Sequence, residues 1–130
     1  MKKFNVEKSE QEWKEQLSDH DYHILREKGT ERPYTGELNT NFEDGVYTCK
    51  GCGEVLFTSE HKFDSHCGWP SFDESKNGTI VYERDTSFGR IRTEILCANC
   101  GGHLGHVFDD GPTATGKRYC VNSASINFKK

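Results

Sequence analysis

Six cysteines are the residues best able to do chemistry in this 130-residue chain. Four of them fall into two copies of one pattern, Cys49-Lys50-Gly51-Cys52-Gly53 and Cys97-Ala98-Asn99-Cys100-Gly101. A two-residue spacer lets both sulfurs of a copy face one point across a tight turn. The glycine that follows allows the backbone geometry such a turn needs. Two copies supply four thiolates, the donor set of a tetrahedral Zn2+ site with no open position. One structural Zn2+ per chain is therefore expected, held by Cys49, Cys52, Cys97 and Cys100 and unable to activate water. The 44 residues between Cys52 and Cys97 exceed the roughly 15–20 of a compact zinc ribbon. The ion would then clip together two hairpins far apart in sequence. Two separate redox pairs or disulfides would use the same four cysteines without a metal.

Cys67 and Cys120 remain. Cys67 opens Cys-Gly-Trp-Pro-Ser-Phe (67–72), where Gly68 frees the turn and Pro70 pushes Trp69 toward extended backbone. Such a loop can present a thiol and an aromatic wall to a substrate. It can equally hold Trp69 and Phe72 in the core with Cys67 as an inert buried thiol. Cys120 lies in Arg-Tyr-Cys-Val-Asn-Ser-Ala-Ser (118–125), a strand-like run that puts Cys120 and Asn122 on one face. Ala124, Ile126 and Phe128 would continue that face as core. Upstream, His103 and His106 stand three apart before the turn at Asp109-Asp110-Gly111-Pro112. Each can be a metal ligand, an acid or base, or a structural histidine. Two thiols outside the metal set suit a nucleophile, Cys120, and a resolving partner. The residues thus point to a thiol redox enzyme with structural zinc. A non-enzymatic zinc module that binds a protein partner would explain the knuckles but not Cys67, Cys120 and the histidines. A peroxide-reducing thiol enzyme would use the same cysteines.

The elements that must position these groups are short. A frayed start is expected over residues 1–8. Ser9-Glu10-Gln11-Glu12 is a capping box, and Trp13 and Leu17 share the face of the helix it opens. A second helix begins at Ser18 or Asp19, with Tyr22 and Leu25 inward and Gly29 as its stop. Residues 30–45 read as a loop punctuated by Pro33, Gly36 and Asp44-Gly45. Strands are expected at 46–48 and 54–57 around the first knuckle, then at 80–85 and 90–96. In the last of these, Ile91, Thr93 and Ile95 alternate with a polar face of Arg90, Arg92 and Glu94. Asn77-Gly78 is expected to turn a hairpin. The organisation is an N-terminal extension with its helix over 1–18 and a single catalytic domain over 19–130. With 13 Gly, eight Phe, five Tyr and two Trp, the core is small and aromatic. The net charge of −4 offers no basic footprint for nucleic acid. No apolar run suggests a membrane span or a secretory signal, and cytoplasmic location is the expectation.

Cys-Gly-Trp-Pro-Ser-Phe (67–72), His-Leu-Gly-His-Val-Phe (103–108) and Arg-Tyr-Cys-Val-Asn-Ser-Ala-Ser (118–125) together resemble the signature of the methionine-R-sulfoxide reductases, the MsrB family. Gly29-Thr30-Glu31, Asp44-Gly45-Val46-Tyr47 and both knuckles fit as well, so the likeness runs over roughly residues 20–128. It implies a mainly β domain of two small antiparallel sheets with short N-terminal helices. It implies reduction of the R epimer of methionine sulfoxide, free or in oxidised proteins and peptides, by a monomer. Cys120 would be the nucleophile and Cys67 the resolving thiol. Trp69 and Phe108 would contact substrate, and His103, His106 and Asn122 would lie near the sulfoxide oxygen. A Cys67–Cys120 disulfide would be reduced by thioredoxin. The chain departs from the family at His66, where many members have glycine before the resolving cysteine.

Overall fold

The computed structural model describes residue 4 and residues 6–130, apart from the side chain of Phe88. Two helices come first, α1 (Glu10–Gln16) and α2 (Asp19–Arg26). Both halves of the Ser9–Glu12 capping box form, and Ser18 caps α2. Trp13, Leu17, Tyr22 and Leu25 are buried as expected. Gly29 is not the stop. The helix ends at Arg26, and Lys28 takes the left-handed backbone at φ 58°. The frayed start falls in part on residues 1–3 and 5, outside the described residues. Within it, Val6 is tied down, donating its N–H to Asn99 O at 2.8 Å and packing on the core.

Nine strands follow: β1 (Val46–Cys49), β2 (Val55–Thr58), β3 (Lys62–Phe63), β4 (Ser71–Phe72), β5 (Ile80–Asp85), β6 (Arg92–Cys97), β7 (His103–Phe108), β8 (Arg118–Val121) and β9 (Ile126–Lys129). They make two antiparallel sheets, one in the order β2-β1-β9 and one in the order β3-β4-β8-β7-β6-β5. Aromatic rings join the sheets. Phe57 stacks on Phe72 with centroids 4.3 Å apart, Tyr47 meets Phe72 edge-on at 5.0 Å, and Phe57 meets Tyr119 at 5.8 Å. Tyr47 and Phe57 belong to the small sheet, Phe72 and Tyr119 to the large one.

Register sets what the other face of the large sheet carries. Ser71 pairs with Cys120, Cys120 with His106, and His106 with Glu94. Directly opposed residues point to one face, so these four form a row across four strands. The neighbouring row, Phe72, Tyr119 and Val107, points the other way into the core.

Three expectations are corrected here. Asn77-Gly78 does turn the chain, with Gly78 at φ 79°, but it makes no hairpin. Its flanking strands β4 and β5 lie on opposite sides of the sheet because β4 pairs with β8 instead. The strand of Cys120 does not run on through Phe128. It stops at Val121, and a 3-10 turn (Ser123–Ser125) hands the chain to the small sheet. Ala124 and Ile126 are buried all the same. Along β6 the alternation is present, but Ile91 precedes the strand and is 72% exposed, whereas Glu94 on the polar face is 3% exposed.

One close approach keeps the Cys120 row in register. A Cβ built on Gly105 would meet Cys120 O at 2.0 Å, so β7 and β8 pass each other only with glycine there. Gly105→Ala should therefore force the strands apart and lower the unfolding free energy by about 2–3 kcal/mol, the upper range for overpacking. Urea unfolding would check this, and a loss under about 1 kcal/mol would contradict it.

Candidate active site

The structure brings Cys67 and Cys120 together from elements 53 residues apart, with Sγ atoms at 3.1 Å. That is about 1 Å beyond a disulfide bond, and both are free thiols. Cys120 also receives a hydrogen bond from Arg118 Nη1 at 2.9 Å. The guanidinium is held there by Asp110, whose carboxylate oxygens accept from Nε at 2.8 Å and Nη2 at 3.0 Å. It also lies 4.5 Å above the ring of Phe108. Around Cys67, Ser65 Oγ donates to its sulfur at 2.9 Å, and Ser71 Oγ lies at 3.4 Å.

Two sulfurs in contact share a proton, so ionising one is easy and ionising the second is hard. The S–H of Cys120 stabilises a thiolate on Cys67, with the Ser65 and Ser71 hydroxyls adding to it against the cost of burial. The Cys67 pKa falls to about 4. Cys120 moves the other way, raised first by its bond to Cys67 and then by burial, with Arg118 opposing. In this arrangement the anion sits on Cys67.

Both histidines line the same face, their ring centroids 5.6 Å apart, and each is tied to a carboxylate. His103 Nδ1 lies 2.6 Å from Glu94 Oε2, and His106 Nε2 lies 2.8 Å from Asp85 Oδ2. Burial lowers the His106 pKa despite that partner, so the ring is neutral at pH 7. Burial pushes the Glu94 carboxyl up, but its bonds from His103 and Lys28 outweigh this and hold it below the ordinary range. His103 Nε2 is buried with no hydrogen-bond partner. It borders a cleft of about 540 Å³ shared with His106, Glu94, Asp85, Lys28 and Thr30. A second cleft, about 440 Å³, opens on the other side beside Cys67, Ser65, Phe63 and Arg118. Cys120 lines neither, because Cys67 covers its sulfur.

Asn122 does not meet a histidine. Its Oδ1 accepts from Glu31 N–H at 3.1 Å and its Nδ2 donates to Leu104 O at 3.3 Å. Trp69 is half-buried and donates its indole N–H to Glu31 O at 3.0 Å. The Glu31 side chain accepts from Ala124 N–H at 2.9 Å. Glu31 thus joins Trp69, Asn122 and the turn after Cys120. Residues 30–36 form a strap across the site rather than a free arm.

The four knuckle cysteines converge as the spacing requires, with their sulfurs all within 4.8 Å. Cys49 to Cys100 and Cys52 to Cys97 are each 3.6 Å. Four sulfurs at about 2.3 Å from one ion would stand roughly 3.8 Å apart, so the donor set fits a tetrahedral metal ion. Gly53 and Gly101 have φ 83° and 77°, which gives the two turns one geometry. Without a cation four such thiolates repel, and neighbouring sulfurs hold the Cys49 and Cys97 thiols up. One knuckle links β1 to β2 and the other β6 to β7, so a metal ion held by the cluster would tie the two sheets together.

Arg118, Asp110, Glu94, Asp85 and Glu31 escaped sequence reasoning. Arg118 carried a signal, since it lies two residues before Cys120 and so shares its face of the strand. Glu94 looked like one of a row of surface charges. Nothing local marked the other three.

Comparison with known proteins follows the same residues. A family described as the SelR domain matches residues 17–130. A Hahella chejuensis protein named peptide methionine sulfoxide reductase MsrB is 60% identical over 127 residues, covering 95% of this chain and 89% of that protein. A Methanosarcina barkeri protein of the same name is 57% identical over 125 residues, covering 95% and 88%. One from Leptospira interrogans is 53% identical over 128 residues, covering 98% of each. The Mis18 'Yippee-like' domain shares the fold at TM-score 0.55 and 16% identity, covering 68% of this chain and 97% of that one. The chain belongs to the SelR family, the methionine-R-sulfoxide reductases of MsrB type. It is an oxidoreductase, and its enzyme class is peptide-methionine (R)-S-oxide reduction. No helix among the described residues is long and apolar enough to cross a membrane.

The shared proton has a pH signature. Iodoacetamide should alkylate Cys67 with a midpoint near pH 4, several units below an ordinary thiol, while Cys120 stays unmodified until Cys67 is blocked. Cys120→Ala removes the S–H donor and should move the Cys67 midpoint upward. Mass spectrometry of the alkylated peptides would read both. Titration of both thiols together near pH 8–9 would contradict the arrangement.

Proposed function

We propose that this chain reduces the R epimer of methionine sulfoxide, in peptides or free, with Cys120 as nucleophile, Cys67 as resolving thiol and thioredoxin as reductant. The observation that carries this reading is the contact of the two sulfurs at 3.1 Å with a guanidinium on Cys120 alone.

A sulfoxide sulfur is electrophilic, but its oxygen leaves only when protonated. The site must therefore supply a thiolate and a proton together. An ordinary thiol of pKa about 8.5 is only about 3% ionised at pH 7. For substrate to reach Cys120, Cys67 must withdraw from the place it now holds. Arg118 then remains as the charge that favours a Cys120 thiolate. The Cys120 thiolate bonds to the sulfoxide sulfur as the oxygen takes up a proton; the S–O bond and the new S–S bond then break as the hydroxyl passes to Cys120, which leaves a sulfenic acid on Cys120 and releases methionine. His103, which lines the cleft and whose Nε2 is buried without a partner, and His106 would face the sulfoxide oxygen. Glu94 and Asp85 would orient their rings. Trp69 and Phe108 would hold the substrate methyl, and Asn122 would fix the strap that carries the Trp69 contact.

Cys67 then attacks the sulfenic sulfur. An S–S bond forms, the S–O bond breaks and water leaves. A thiol already stabilised as an anion suits this step. A dithiol donor such as thioredoxin reduces the disulfide by exchange, which suits a reducing compartment such as the cytoplasm. The metal held by Cys49, Cys52, Cys97 and Cys100 would be Zn2+, and with four thiolates and no open position it supplies a cross-link rather than catalysis.

The test is a dithiothreitol-driven assay on the separated epimers of a methionine sulfoxide peptide. Turnover of the R epimer alone, lost in Cys120→Ser, is expected. Turnover of neither epimer by folded, metal-loaded protein would overturn the reading.

A further inference from the structure

The loop that carries Cys67 has an unusual backbone. His66 sits at φ 60°, the left-handed region that L side chains disfavour and glycine tolerates. Its side chain is 83% exposed, so no packing holds it there. Hydrogen bonds do. Asp64 Oδ1 accepts its N–H at 3.0 Å, and the Tyr34 hydroxyl donates to its carbonyl at 2.7 Å. Tyr34 belongs to the strap. Its own N–H donates to Gly68 O at 2.7 Å, and a Cβ on Gly68 would strike Pro33 at 2.6 Å. Tyr34 therefore binds the carbonyls of the residues on both sides of Cys67 while remaining 68% exposed, contributing little to the core.

We infer that Tyr34 is a positioning residue for the resolving step, holding the Cys67 loop where its sulfur meets Cys120. This rests on the reading of Cys67 as the resolving thiol. Glycine before Cys67 would take this backbone freely. With His66 there, the loop tends to relax to negative φ and carry Cys67 away. The Tyr34 hydroxyl opposes that relaxation. Because substrate needs Cys67 withdrawn and the disulfide needs it returned, the grip acts on the two half-reactions differently. Weakening it slows S–S formation, in which the Cys67 sulfur displaces the sulfenic oxygen as water. It leaves attack on the sulfoxide untouched or faster.

Tyr34→Phe removes the hydroxyl and keeps the ring. In a single turnover with the R epimer, quenched in acid, methionine release should stay within about twofold of the parent chain. Loss of the two thiols should slow about fivefold, the worth of one hydrogen bond near 1 kcal/mol. A dimedone-trapped sulfenic acid on Cys120 should accumulate. Adding His66→Gly should restore thiol loss to within about twofold. Thiol loss at the parent rate, methionine release falling by the same factor, or no recovery with His66→Gly would overturn the inference. If the parent chain itself releases methionine without losing two thiols, the resolving role of Cys67 fails, and the inference with it.

Discussion

Four sulfurs within 4.8 Å of one another stand where the two sheets meet, a donor set that could hold a metal ion across that junction. The small sheet contributes one knuckle and the large sheet the other, so the cluster closes a loop of about 50 residues. Closing loops of that length is where a metal clip stabilises most. Beside it, one buried core joins the sheets, in which the Tyr47, Phe57, Phe72 and Tyr119 rings pack with Leu56, Ile95, Leu104, Val121 and Ile126. The division of labour is clear. One face of the large sheet is spent on that aromatic junction, which leaves the opposite face free to carry polar groups.

Register turns that free face into a site. Ser71, Cys120, His106 and Glu94 align because the four strands keep register across that row, with the β6–β7 shift coming only after Ile95, and a slip of one residue would send every one of them into the core. The strap from Thr30 to Gly36 covers the row from the side. Through Glu31 it fixes Trp69 and the turn after Cys120, and through Tyr34 it fixes the loop of Cys67. Rigid sheet thus carries Cys120 and the histidines, while Cys67 sits on a loop whose position depends on a few hydrogen bonds. That contrast suits a cycle in which one sulfur stays and the other must come and go.

Much of this was legible in the sequence where the signal is local. The capping box at Ser9, the two knuckles with their left-handed glycines and the strand at 80–85 follow from neighbours within a few residues. The pairing of Cys67 with Cys120 was reachable by subtraction among six cysteines. What stayed hidden depends on distant pairing. Asn77-Gly78 reads as a hairpin because nothing nearby says that β4 will choose β8. Glu94 reads as a surface charge because its burial comes from His103 and Lys28, nine and 66 residues away. The turn after Val121 has its Ala124 N–H held by the Glu31 carboxylate, 93 residues away, which no periodicity in that strand reveals.

The central claim is that Cys120 takes the oxygen and Cys67 closes on it. The most direct measurement is peptide mapping of the oxidised chain after one turnover with the R epimer and no reductant. A single Cys67–Cys120 disulfide, with Cys49, Cys52, Cys97 and Cys100 still reduced and one methionine released per chain, is the predicted result. A disulfide within or between the knuckles, or oxidation of Cys67 with Cys120 untouched, would contradict it.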